Sequence, residues 1–139
     1  MSILIIDDFQ EERDLLFTIL HSAGFGPLLP VGTAREGLQL LGVGKRGKQT
    51  SGIDLVLMDI EMPEIDGLEA CQRIRMEDQL QNLPIIVITA HTEAKDIQAA
   101  YTCGATDYIR KPVIPAELIA RAANALSLKQ EIDARKLRE

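Results

Sequence analysis

Acidic residues follow two apolar runs of this chain, and their types and spacing are suited to binding a cation. Asp59 comes directly after the run at residues 55–58, and Asp7 and Asp8 come directly after the run at residues 3–6. Runs of this length and aliphatic content are typical of strands that are buried on both faces. A single acid after a strand is commonly a turn or helix-capping residue. Several carboxylates brought together would instead supply the hard oxygen ligands that Mg²⁺ prefers.

A hydroxyl group and an amine follow two further segments in the same way. Thr89 follows the apolar run at residues 85–88, and Lys111 follows the short segment at residues 107–110. The carboxyl ends of parallel strands meet at one edge of a sheet, where open α/β folds bind ligands. A lysine and a threonine at that edge would provide charge and hydrogen bonds to phosphoryl oxygens. Taken with the acids, they predict a site that handles a phosphoryl group together with Mg²⁺.

The elements that must position these side chains alternate between strand and helix along the chain. Each predicted strand is followed by a segment with apolar residues three or four apart, and the strands are residues 2–6, 28–31, 53–59, 85–88 and 107–109. This alternation predicts one α/β domain with a parallel, doubly wound sheet. Pro27 and Pro30 place the second strand at a sheet edge, because proline cannot donate to a ladder. Thr33 and Glu36 have the spacing of a capping box that begins the following helix.

The composition is that of a globular domain and argues against several other classes. The chain has 139 residues, 46% hydrophobic residues and a formal net charge of −6. An acidic chain is poorly suited to direct nucleic-acid binding, which uses basic surfaces. No apolar run is long enough to span a membrane, and the N-terminus resembles no secretory leader, so we expect a cytoplasmic protein. Cys71 and Cys103 are then expected to be reduced thiols.

Residues 42–52 interrupt the alternation with four glycines and three cations. This composition predicts a solvated loop. A phosphate-binding loop is the alternative, but the segment lacks the Gly-Lys-Ser/Thr that such loops carry.

Five motifs, in order along the chain, resemble the receiver domain of two-component response regulators. They are Ile-Ile-Asp-Asp at 5–8, Leu-Met-Asp-Ile-Glu-Met-Pro at 57–63, Asp-Gly at 66–67, Ile-Thr-Ala at 88–90 and Gly-Ala-Thr-Asp-Tyr-Ile-Arg-Lys-Pro at 104–112. The resemblance covers about residues 2–126 and implies a flavodoxin-like (βα)5 fold with strand order 2-1-3-4-5. Residues 1–126 would form the receiver domain, and residues 127–139 a helical extension or linker.

The resemblance implies a nucleophile and a metal site. Asp59 would be the phosphoacceptor, whose carboxylate attacks the phosphorus of a phosphohistidine on a sensor histidine kinase or phosphotransfer protein. Asp8, Asp59 and the backbone carbonyl of Glu61 would bind Mg²⁺, and Asp7 would assist through water or by orienting its neighbour. Such a domain is not a conventional enzyme, because it catalyses only its own phosphorylation and dephosphorylation.

The same resemblance implies how the phosphoryl group is held and how it signals. Lys111, aimed by a cis peptide bond to Pro112, would pair with the phosphoryl group, and Thr89 with the amide of Ala90 would hold the other oxygens. Thr89 and Tyr108 would then form a switch that reshapes the surface of residues 97–108 for an output domain or effector protein. By residue type alone, Tyr108 is better explained as a half-buried aromatic with its hydroxyl in water, and only its position in the motif favours the switch.

Two residues beside the predicted site are expected to tune how long the phosphoryl group survives. Glu61 and His91 each lie two positions after a predicted site residue, and the resemblance to receiver domains implies that they flank the path of attack. The sequence gives no direction for their effect.

The last helix is predicted to run from residue 115 to residue 139. Its apolar residues three or four apart are Leu118, Ala122, Ala125, Leu128 and Ile132. This stripe favours a homodimer through the C-terminal helix or a connection to an output module. A frayed, solvated tail is the alternative.

Two other functions compete with the phosphoacceptor. A phosphatase with an aspartyl nucleophile would carry a second Asp two residues after Asp59, where this chain has Glu61. A receiver-like interaction module that works without phosphorylation would be expected to have lost some of the acids or the lysine, and all are present.

Overall fold

The computed structural model describes residues 1–45 and 52–138 of the chain. The strands are Ser2–Ile6 (β1), Leu28–Val31 (β2), Ile53–Asp59 (β3), Ile85–Thr89 (β4) and Asp107–Arg110 (β5). The helices are Gln10–Ser22 (α1), Ala34–Leu41 (α2), Gly67–Arg75 (α3), Ala94–Thr102 (α4) and Pro115–Arg138 (α5), with a short 3₁₀ helix at Asp78–Leu80. Residues 46–51 of the predicted loop at 42–52 lie outside the described residues.

The strands form a parallel sheet in the order β2-β1-β3-β4-β5. This order confirms the predicted doubly wound, flavodoxin-like α/β fold. Ile6 of β1 pairs with Met58 of β3, and Asp59 pairs with Ile88 of β4. Strands β1, β3 and β4 therefore end at nearly the same level, and the residues that follow them share one edge of the sheet.

The core lies in two layers, one on each side of the sheet. Alternate strand residues point to opposite faces, so Leu4 and Met58 lie in one layer and Ile5 and Leu57 in the other. The first layer packs against α2 and α3, and the second packs against α1 and α5. Burial on both faces explains why the central strands are apolar runs without a polar alternation.

Local signals in the sequence also fix the ends of several elements. Strand β2 is at the sheet edge, as its prolines predicted. The Thr33 hydroxyl accepts a hydrogen bond from the Glu36 amide at 3.1 Å, which confirms the cap of α2. Helix α3 spans Gly67–Arg75. The Asp66 carboxylate accepts a hydrogen bond from the Glu69 amide at 2.8 Å and caps the start of this helix. A turn leads from Met76 into the 3₁₀ helix.

Helix α5 is 24 residues long, and its two halves have different surroundings. Leu118, Ala122 and Ala125 of the predicted stripe are buried against the sheet, together with Leu126. Leu128, in contrast, is 46% exposed. The stripe is therefore not one free face, because its first half belongs to the core. No helix of the described ranges is both long and apolar enough to cross a membrane.

Candidate functional site

Asp59 is the last residue of β3 and is almost completely buried. One carboxylate oxygen accepts a hydrogen bond from the Glu61 amide at 3.3 Å, and the other lies 3.4 Å from the Lys111 ammonium nitrogen. The chain after Asp59 folds closely back on the strand end. The Gly67 amide donates to the Ile60 carbonyl at 2.8 Å, and a Cβ atom on Gly67 would lie only 2.4 Å from the Asp59 carbonyl oxygen. A residue without a side chain is therefore required at position 67.

Asp7 is buried beside it, directly after β1. Its Oδ1 accepts a hydrogen bond from the Phe9 amide at 3.0 Å, and its backbone carbonyl accepts one from the Arg13 guanidinium at 2.7 Å. Its Oδ2 is buried without a hydrogen-bond partner in the described part of the chain. Asp8, the next residue, has an exposed side chain instead. The two neighbouring acids therefore have opposite environments.

Lys111 follows β5 and points its amine at both buried acids. Its backbone amide donates to the Thr89 carbonyl at 2.8 Å, and the predicted cis peptide bond to Pro112 is present. The ammonium nitrogen lies 3.4 Å from Asp59 and 3.7 Å from Asp7. It also forms an ion pair with the carboxylate of Glu12, which lies on the first turn of α1. One cation is thus shared among three carboxylates.

The charges at this edge are only partly balanced. The pKa of Asp7 is raised to about 6, chiefly by burial, and the negative charges of Asp59 and Glu12 add to the rise. The hydrogen bond from the Phe9 amide and the positive charge of Lys111 lower this pKa by a smaller amount. Burial also raises the pKa of Asp59, more than Lys111 and the Glu61 amide lower it. Burial lowers the pKa of Lys111, but the hydrogen bond with Glu12 and the charges of the nearby carboxylates outweigh this effect, so the pKa is raised overall. The single positive charge of Lys111 therefore does not neutralise the neighbouring carboxylates completely, as expected of a site that also binds a cation.

The arrangement fits a hard divalent cation. Asp7, Glu12 and Asp59 each present a carboxylate oxygen within 4.8 Å of the other two. Carboxylate oxygens are suitable ligands for Mg²⁺, and the unpartnered Oδ2 of Asp7 would gain an interaction on binding one. Of the predicted ligands, Asp7 and Asp59 are brought together, while the side chains of Asp8 and Glu61 are exposed at the rim.

The predicted hydroxyl lies at the end of β4. Thr89 is buried, and its hydroxyl accepts a hydrogen bond from the His91 amide at 3.0 Å. Ala90, whose amide was predicted to bind a phosphoryl oxygen, lies between them and is exposed. The register that pairs Asp59 with Ile88 places Thr89 one residue further along the neighbouring strand.

Tyr108 and Glu61 are both connected to the segment that follows Thr89. The Tyr108 hydroxyl donates a hydrogen bond to the His91 carbonyl, and the Glu61 carboxylate contacts the His91 imidazole. Tyr108 is half-buried, as the alternative expected, but its hydroxyl donates to a backbone carbonyl. The two predicted switch residues, Thr89 and Tyr108, are thus linked through the backbone of His91.

Sequence reasoning missed two residues that contact this site, Glu12 and Arg13. Both are on α1, which begins four residues after β1 ends. A signal was present, because a helix that starts at the functional edge of a sheet carries the side chains of its first turns past that edge. Acidic side chains in the first turn of a helix also interact favourably with the helix dipole. From sequence alone, the presence of Glu12 is therefore explained without any part in the site.

Comparison with known proteins identifies the family. A family model described as the response regulator receiver domain matches residues 3–123 of the chain. The chain belongs to this family. The resemblance of its five motifs to receiver domains is thereby confirmed.

Individual relatives agree with this assignment. The chain is 34% identical over 138 residues to the cyclic di-GMP phosphodiesterase response regulator RpfG of Xanthomonas campestris, covering 99% of this chain and 35% of that protein. It is 38% identical over 119 residues to an uncharacterised 14.6 kDa protein of Leptolyngbya boryana, covering 86% of this chain and 85% of that protein. A response regulator receiver domain protein from Clostridium thermocellum has a similar structure, with a TM-score of 0.80, 26% identity and coverage of 94% and 98% of the two chains.

The lengths of the relatives bear on what the receiver domain is connected to. The chain spans about a third of RpfG and half of the response regulator SaeR of Staphylococcus epidermidis, but most of the Leptolyngbya boryana protein. Sequences similar to this chain thus occur both within longer response regulators and across most of a protein of about this size.

Proposed function

We propose that this receiver domain accepts a phosphoryl group on Asp59 in a Mg²⁺-dependent reaction, and that the acyl phosphate switches a signalling surface. The observation that carries the proposal is the contact between a buried carboxylate at the end of β3 and the Lys111 ammonium group, 3.4 Å apart. Such a pair offers a nucleophile and, beside it, a cation for the incoming negative charge. The donor would be a sensor histidine kinase or a phosphotransfer protein.

The proposed reaction is a transfer between nitrogen and oxygen. A carboxylate oxygen of Asp59 forms a bond to phosphorus while the bond from phosphorus to the donor imidazole nitrogen breaks, and that electron pair leaves with the nitrogen. The transition state is largely metaphosphate-like, so positioning and charge neutralisation supply the catalysis. Water later attacks the same phosphorus, which releases inorganic phosphate and restores Asp59. The domain thereby catalyses its own phosphorylation and dephosphorylation.

The chain's own residues would position the phosphoryl group. Lys111 would pair with one phosphoryl oxygen, and the Thr89 hydroxyl and the Ala90 amide would donate hydrogen bonds to the others. In its present hydrogen bond the Thr89 hydroxyl accepts from the His91 amide, and its own O–H proton is used in the new role.

The metal would be held at the acidic edge of the sheet. Asp7, Asp8 and Asp59, with the backbone carbonyl of Glu61, are the proposed ligands, directly or through water, and Glu12 lies within reach of the same place. A bound Mg²⁺ would neutralise charge on the phosphoryl oxygens.

The output would be a two-state change of the segment after β4. Movement of Thr89 toward the phosphoryl group would shift His91, and Tyr108 would lose or change its hydrogen bond to the His91 carbonyl. The surface of residues 97–108 would then be recognised by an output domain or effector protein. Residues 127–139 would serve as a linker or as a homodimer contact, and we propose a cytoplasmic location.

The test is formation of an adduct on Asp59. The full chain, incubated with acetyl phosphate and Mg²⁺, is expected to gain the mass of one phosphoryl group, and this gain is expected to disappear in Asp59→Asn or with a chelator. Asp54→Asn is a matched control, because Asp54 lies on the same strand at the opposite end of the sheet. An adduct that forms equally in Asp59→Asn would contradict the proposal, and the absence of any adduct would favour an interaction module that works without phosphorylation.

A further inference from the structure

Glu12 provides a third carboxylate that contacts Lys111, in addition to those of Asp7 and Asp59. It lies on the first turn of α1, and its Oε2 accepts a hydrogen bond from the Lys111 ammonium group. The Glu12 side chain is 41% exposed, whereas that of Asp59 is 6% exposed. Burial therefore holds Asp59 in place, while Glu12 is free to change its rotamer.

The ammonium group is closer to Glu12 than to the two buried acids. Its distances of 3.4 Å to Asp59 and 3.7 Å to Asp7 exceed the length of a charge-assisted hydrogen bond, which is about 2.7–2.9 Å. The hydrogen bond of Lys111 is made to Glu12. The amine is thus drawn toward α1, away from the carboxylate on which a phosphoryl group would be placed.

We propose that Glu12 is a positioning residue that holds Lys111 on the α1 side of the site until Asp59 is phosphorylated. The inference rests on the proposed function, because it gives Glu12 a part in phosphoryl transfer. A phosphoryl oxygen on Asp59 would compete with Glu12 for the Lys111 amine, because the amine lies 3.4 Å from Asp59 while it is hydrogen-bonded to Glu12. The Glu12 ion pair therefore stabilises only the unphosphorylated state, and an interaction present in one of two states shifts the equilibrium toward that state.

The size of the effect follows from the exposure of the pair. We expect about a fivefold change, the equivalent of about 1 kcal/mol, which is the upper end for an ion pair that is open to solvent on one side. Removing Glu12 also removes a negative charge from the path of an anionic donor, which acts in the same direction.

The experiment compares Glu12→Gln with wild type in the full chain at saturating Mg²⁺. We expect Glu12→Gln to bind beryllofluoride about fivefold more tightly, measured by ¹⁹F NMR, and to form the acetyl phosphate adduct about fivefold faster. Glu11→Gln is the matched control, since it removes the same charge from the same helix turn, and less than about a twofold change is expected. Glu12→Asp keeps the charge but shortens the reach, so it should behave like Glu12→Gln.

A second measurement does not depend on metal or phosphoryl donor. In metal-free wild type, NMR should show a nuclear Overhauser effect between the side-chain protons of Glu12 and Lys111. The absence of this contact would overturn the inference. So would an unchanged rate and beryllofluoride affinity in Glu12→Gln, or an equal effect of Glu11→Gln, which would indicate net charge alone. A failure of the proposed function looks different, because wild type itself would then form no Asp59-dependent adduct.

Discussion

The buried carboxyl group of Asp7 should make the metal-free domain less stable at neutral pH than in mild acid. Its pKa is about 6 in the fold against an ordinary value of 3.8, chiefly because of burial. The folded state therefore binds the proton more tightly than the unfolded state, and stability falls as the pH rises from about 3.8 through 6. At 1.36 kcal/mol for each pKa unit, the raised pKa of Asp7 lowers the free energy of unfolding by about 3 kcal/mol, and this loss is complete at pH 7.5.

Asp7→Asn should remove this cost, because an amide carries no charge at any of these pH values. The free energy of unfolding of the variant in a chelator at pH 7.5 is expected to exceed that of wild type by up to about 3 kcal/mol. About half of this advantage should be lost at pH 5, where Asp7 is protonated in the folded wild type. Urea denaturation followed by far-UV circular dichroism measures both values, since the chain has no Trp.

Asp8→Asn is the matched control, because Asp8 is the adjacent acid and its side chain is exposed. It should change the stability by less than about 0.5 kcal/mol at either pH. The reasoning is refuted if Asp7→Asn is no more stable than wild type at pH 7.5, or if Asp8→Asn gives an equal gain. Added Mg²⁺ should raise the stability of wild type and have a smaller effect on Asp7→Asn, since a ligand that binds only the folded state stabilises it.

Three further substitutions test how the fold supports the site. Gly67→Ala places a methyl group about 2.4 Å from the Asp59 carbonyl oxygen; it should lower the free energy of unfolding by about 1–3 kcal/mol and slow adduct formation, measured by denaturation and mass spectrometry. Gly104→Ala meets the Arg75 side chain at 2.5 Å with φ at +112°, so a loss of stability above about 1 kcal/mol is expected, with adduct formation retained by the molecules that remain folded. Thr33→Ala removes the cap of α2. It should lower the free energy of unfolding by about 1 kcal/mol, measured by denaturation, without changing adduct formation. An unchanged denaturation midpoint in any of the three variants would contradict the corresponding contact.

The convergence of Asp59, Thr89 and Lys111 was predictable because it depends on chain direction alone. Asp59 and Thr89 end a strand and Lys111 directly follows one, and strands of one parallel sheet present their carboxyl ends at one edge. Apolar runs and turn residues are enough to locate those ends. The capped start of α2 was predictable for a similar reason, since the cap is formed between Thr33 and Glu36, which are only three residues apart.

Other features depend on how elements pack together, which a linear pattern does not contain. In the last helix, spacing alone grouped Leu128 with the buried residues, yet Leu128 is 46% exposed and Leu126 is buried. Residues two positions apart on an α-helix point in directions about 200° apart, so Leu128 faces away from the side on which Leu126 packs. That packed side continues past Leu128, because the Lys129 side chain is only 16% exposed.

By itself, the sequence determined the fold class, the strand order through its family motifs, and the edge at which the site forms. The tertiary structure decided the environment of each charged group there. It buried Asp7 and left Asp8 exposed, and it brought Glu12 from a neighbouring helix onto Lys111. The physical reason is that local residue patterns specify where chain segments begin and end, whereas burial and charge pairing depend on distances between segments far apart in the chain.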